Sequence, residues 1–173
     1  MLAMAASRVI KRKLKMLKKV VQSSLDPGEN LQFYDLGSTL PAAEMWGATK
    51  SAIVNVSAES ARRAQFGASY DAGRHYKEQL EEANPENAVL VTDRAVKIVP
   101  VKMGNTKYKI AEGIPTVVFP RAQASIRLGG TSTVTALGNT VTSVEVEFSA
   151  PGMQPLALHL FDIDEWSAIG NTT

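Results

Sequence analysis

The side chains of this 173-residue chain most able to do chemistry begin with a run of cations: Arg8, Lys11, Arg12, Lys13, Lys15, Lys18 and Lys19 precede the first acid, Asp26. Such a run attracts phosphate. Anionic lipid surfaces contribute about 1 kcal/mol per nearby Lys or Arg, and nucleic-acid backbones attract similar clusters through counterion release. Setting these seven aside leaves 12 basic residues against 17 acidic ones, so a balance of −5 in the remainder lies beneath the formal net charge of +2. Lys102, Lys107 and Lys109 gather around the Gly104-Asn105 turn as a second cationic group. His75 precedes Glu78, Gln79 and Glu82 at spacings that share one helix face. A divalent metal could use them, but no second imidazole is near, and a solvated helix surface is the plainer reading. His159 sits between Leu158 and Leu160 in a strand-like run, where pairing across a sheet is the plainer role. Asp162, Asp164 and Glu165 lack the ring of oxygen ligands that calcium requires and read as the acidic start of a short helix.

Several chemistries are excluded or left without residues. With no cysteine there is no disulfide, thiolate zinc site or cysteine nucleophile. Gly129-Gly130-Thr131-Ser132-Thr133 has the glycines of a phosphate loop but neither its lysine nor its helix, and reads as a glycine hairpin turn. No convergent acid–base groups can be nominated, so an enzyme ranks last, with no catalytic residue, cofactor or metal assigned. No apolar run reaches the roughly 18 residues of a membrane span. A secretory signal places charge before its apolar region, the reverse of Met1 to Ala6 followed by Arg8 to Lys19. The expected location is cytoplasmic, with peripheral attachment to a membrane as the alternative.

The elements that must position these groups follow from hydrophobic period. Ile10, Leu14, Leu17 and Val21, widened by Val9, Met16 and Val20, predict an amphipathic helix over residues 5–24, stopped by Asp26-Pro27-Gly28. Leu31, Phe33 and Leu36 suit a short strand. Pro41 to Ala83, rich in Ala, Glu, Arg and Gln, reads as one or two helices, although neither period prevails from Pro41 to Val56. From Asn87 the period becomes two. Strands are expected at 88–92, 96–102, 114–119, 125–128, 131–136, 141–149 and 156–161, which indicates an antiparallel barrel or sandwich. Trp46 and Trp166 fall outside these strands and read as packing anchors.

Short motifs add a resemblance. Leu90-Val91-Thr92-Asp93-Arg94-Ala95-Val96 resembles the L-T-D-R-R-L hairpin of bacterial pleckstrin-homology-like (GRAM-like) domains. Leu25-Asp26-Pro27-Gly28-Glu29 is similar to their L-x-P-G-E opening, and Val118-Phe119-Pro120-Arg121 to their hydrophobic-P-R motif. Leu156 to Phe161 resembles their last strand, and actinobacterial members likewise carry an amino-terminal helix. The resemblance implies an α+β, mostly β fold. Residues 1–24 would be a basic amphipathic helix and residues 25–173 a pleckstrin-homology-like barrel of seven antiparallel strands with a helical insertion at about 41–83.

Two departures stand out: Ala95 replaces a second Arg, and the closing helix can span only Asp162 to Ile169. A helix that short leaves one barrel mouth wet, so the amino-terminal helix or the Ser57 to Ala83 helices are expected to cover it. The implied function is a non-enzymatic interaction or scaffold module, with a protein partner or self-association ranked first. Anionic membrane bound through the basic helix ranks second and nucleic acid third. The first-hairpin loop of eukaryotic relatives binds phosphoinositides, which implies Lys102, Lys107 and Lys109 as loop contacts. The apolar stripe decides how the basic helix works, because Ile10, Leu14, Leu17 and Val21 cannot face both lipid and the domain. Docking with the cations outward is the expectation, since most helical stability comes from tertiary packing.

Overall fold

A computed structural model of the chain describes residues 2–38, 86–136 and 139–170. The expected insertion, with His75, its carboxylates and Trp46, lies outside the described residues. Helix α1 spans Leu2–Ser23. Its end is tied off by hydroxyls: Ser23 Oγ and Ser24 Oγ both donate to the Val20 carbonyl, at 2.9 and 2.7 Å. The chain then turns through Gly28, whose φ of 78° is a backbone state that favours glycine.

The strands are β1 (Leu31–Ser38), β2 (Glu86–Thr92), β3 (Ala95–Met103), β4 (Tyr108–Ile110), β5 (Val117–Pro120), β6 (Ser125–Ala136), β7 (Asn139–Ser149) and β8 (Leu156–Leu160). Helix α2, Ile163–Ile169, closes the described chain. All strand pairings are antiparallel, in the order β4-β3-β2-β1-β8-β7-β6, with β5 sharing the far side of β3. The mostly β, antiparallel expectation therefore holds at the level of fold class. The sheet is open, because among the described residues no ladder joins β4 or β5 to β6. At its middle, Gly37 and Ser38 of β1 are paired with β2 on one side and with β8 on the other. A Cβ at Gly37 would meet Val89 Cγ2 at 2.8 Å and Leu160 Cδ2 at 3.2 Å, so only glycine lets the strands approach this closely.

Alternation along the strands divides the interior in two. Val89, Val91, Val96, Ile98, Val146 and Leu158 line one face, where Trp166 of α2 packs edge-on against Phe33 and Phe148 with centroids 4.9 and 5.4 Å apart. Ala88, Leu90, Val99 and Val101 line the other, together with Ile10, Leu17, Val20 and Val21 of α1. The amino-terminal helix does dock by its apolar stripe. It covers the face opposite Trp166, however, and not a mouth beside the closing helix.

Two element expectations need correction. Gly129-Gly130 is no hairpin turn, since β6 runs through it with a register irregularity between Leu128 and Thr131. Two expected strands are thereby one. The three-residue β4 was not anticipated, being too short for a period to register.

Candidate anion-binding surface

Docking of α1 fixes where its cations go. Arg8, Lys11, Arg12, Lys15, Lys18 and Lys19 are all exposed, while Ile10, Leu17, Val20 and Val21 are buried. At about 100° per residue and about 1.5 Å of rise, the six occupy an arc of roughly 120° and a ridge roughly 16 Å long. None of the six forms an ion pair among the described residues.

Lys13 departs from the rest. Its ammonium points back to the sheet and lies 3.0 Å from Glu86 Oε2, with side-chain exposures of 20% and 3%. The same carboxylate oxygen accepts from Tyr108 Oη at 2.8 Å, so one β2 acid ties helix α1 to strand β4. Burial first, and the Glu86 charge second, push the Tyr108 phenol well above its ordinary pKa. The cations around the Gly104-Asn105 turn lie elsewhere. Lys102 and Lys109 are exposed and face each other across the β3–β4 ladder. Met103 and Tyr108, their neighbours in β3 and β4, lie on the α1 side, so Lys102 and Lys109 project from the opposite side. Exposed Lys107 precedes β4 in the turn. The structure therefore does not bring the two basic groups onto one face.

The motifs behind the family resemblance meet in a buried clasp between the α1–β1 turn and the β2–β3 turn. Glu29 Oε1 accepts from Lys97 Nζ at 2.6 Å and from the Asp26 N–H at 2.9 Å, and Glu29 Oε2 accepts from Thr92 Oγ1 at 2.6 Å. Lys97 also donates to the Ser24 carbonyl at 2.9 Å and to Asp26 at 3.1 Å. Burial alone would raise the Glu29 carboxyl, but the Lys97, Thr92 and Asp26 donors outweigh it and bring the pKa down to about 2. Asp93 accepts from the Asn30 N–H at 2.9 Å, and the Arg94 guanidinium reaches the Pro27 and Gly28 carbonyls at 3.4 Å. These residues hold two turns together.

A second buried carboxyl, Asp35, pins α2. It accepts from the N–H groups of Leu36, Phe161 and Asp162 and from the Trp166 indole at 2.8–2.9 Å. Desolvation is the largest influence and raises its pKa to about 6 against these donors. Asp162 caps α2 by accepting from the Glu165 N–H at 3.3 Å, in keeping with the acidic-start reading.

Register also aligns Glu86, Ser38, His159 and Glu145 in one row across β2, β1, β8 and β7. His159 Nε2 lies 3.4 Å from Glu145 Oε1, so the cross-sheet role read for His159 is observed. Serine, histidine and glutamate in sequence are the types of a hydrolase triad. All of them are buried here, Ser38 completely, so the row offers no nucleophile to an external substrate. Residue types alone could not reveal this row, because its members come from strands far apart in the chain. Among the described residues no cluster of His, Asp and Glu is arranged to hold a metal ion, and no helix is long and apolar enough to cross a membrane. No family model, curated protein or solved structure matches this chain.

Proposed function

We propose that this chain is a non-enzymatic interaction module of pleckstrin-homology-like architecture whose working surface is the basic ridge of α1. The antiparallel strand succession, the pairing of the end of β1 with both β2 and β8, and a short carboxy-terminal helix on one face support that architecture. One observation carries the functional reading: six exposed cations share one arc without a carboxylate partner among the described residues, while the opposite side of the same helix is buried. Holding six like charges together costs free energy unless an anion relieves it, and docking on the sheet fixes their spacing in advance.

The test is retention of the full chain on phosphocellulose. Wild type elutes late in a salt gradient, whereas a variant with Lys11, Arg12, Lys15 and Lys19 replaced by Gln elutes far earlier. Coincident elution of the two sinks the ridge as a binding surface.

A second reading, self-association, rests on the sheet edge. Ile110 of β4 and Val118 of β5 are 46% and 43% exposed, and both strands lie along the outer side of β3. Apolar side chains on an edge strand suit addition of a strand from a second copy.

A further inference from the structure

The basic ridge rests on the reading just given, and we infer that its anion is the surface of an anionic lipid bilayer, bound peripherally with α1 still docked on the sheet. Geometry and residue type both favour a plane. The six cations lie along one continuous helix within one arc, so all can approach a flat surface together. Four are lysines and two are arginines. Lysine is a compact, mobile point charge suited to a diffuse field, whereas bidentate recognition of single phosphates favours arginine. The basic arc holds no aromatic side chain among its cations, so it has nothing with which to stack on a base. Clusters of four to eight Lys or Arg on an amphipathic helix are the general signature of binding to acidic phospholipid.

Attachment is by charge alone. Leu17 and Val21 are essentially inaccessible, and Tyr34 Oη donates to the Leu14 carbonyl at 3.1 Å while Lys13 pairs with Glu86. The apolar stripe is thus committed to the sheet and does not enter lipid. The −5 balance of the rest of the chain favours an orientation with the ridge toward the membrane and the body away from it.

The experiment is co-sedimentation of the full chain with phosphatidylserine-rich vesicles and with pure phosphatidylcholine vesicles, alongside duplex DNA and phosphocellulose. Of the two vesicle types, binding is expected to the serine-rich one only, strong where the Debye length is about 10 Å and lost as salt shortens it toward about 3 Å, with retention on phosphocellulose as before. The Lys11, Arg12, Lys15 and Lys19 to Gln variant should bind roughly 500-fold more weakly, about fivefold per cation. Replacing Lys102, Lys107 and Lys109 by Gln, away from the ridge, should leave vesicle binding unchanged, and both variants should unfold no earlier than the wild type. Retention on phosphocellulose without vesicle binding overturns the lipid assignment and leaves the ridge reading standing. Tighter binding to duplex DNA than to vesicles overturns it in favour of nucleic acid. Vesicle binding that survives high salt means that the apolar stripe inserts, and overturns the docked, peripheral geometry. Retention on neither support removes the lipid assignment and the ridge reading together.

Discussion

Glu29 and Asp35 are both buried carboxyls, yet the protein treats them in opposite ways. Glu29 gains an ammonium and two further donors, and its pKa falls from 4.5 to about 2. Its stabilisation is complete above 4.5 and is lost as pH falls toward 2, because the unfolded chain then binds the extra proton. Asp35 gains only dipoles, and burial lifts its pKa from 3.8 to about 6. Its contribution is fullest below 3.8 and declines as pH rises through 6. Thermal unfolding across this range should therefore separate the two. Glu29→Gln should cost about 3 kcal/mol at neutral pH by removing the buried charge that faces Lys97, with the penalty shrinking in acid. Asp35→Asn, which presents an amide N–H to donors, should loosen α2, with a penalty that is largest in acid. A pH-independent penalty for both variants would contradict these assignments. Glu29, Thr92, Asp93 and Arg94 were legible as turn residues, and the structure makes them contacts. That they touch one another was not legible, because residues some sixty positions apart leave no periodic trace.

At the scale of the element, α1 was the most legible part of the chain. Its period and its stop at Ser24 to Gly28 are dictated locally by helix geometry and by proline and glycine. The face it would cover was not, since both sides of β2 are apolar and the sequence gives no preference between them. Leu17 and Val21 carry much of the docking, each worth about 1.5–3 kcal/mol in buried apolar surface. Leu17→Ala should lower stability by about 3 kcal/mol and, by loosening the helix, weaken the rigid display of the ridge. An equilibrium urea transition measures the first effect, and an unchanged midpoint would show that α1 is dispensable to the core. Gly129-Gly130 misled for a physical reason: glycine pairs mark turns and strand irregularities alike, and only the partner strand distinguishes them.

For the molecule as a whole, two apolar faces on one sheet explain why β2 is buried throughout and β3 over its first seven residues. They also explain why period-two alternation was clear in β7 and blurred in β2, whose residues are all buried. The open edge at β4 and β5 is the place where a second copy would add. Val118→Lys puts a charge on that edge, so if self-association uses it, the variant should run as the smaller species in size exclusion at concentrations where wild type is larger. Identical elution of the two across concentration would remove the edge as an interface.

Ser38 and Glu86 stand directly opposite each other at the end of the β1–β2 ladder. The two strand ends that bracket residues 39–85 therefore lie only the width of a strand pair apart. Because those ends already meet, changing the number of residues between them asks for no change in the β1–β2 register, which makes this gap the natural port for lengthening, shortening or exchanging a module without redrawing the sheet.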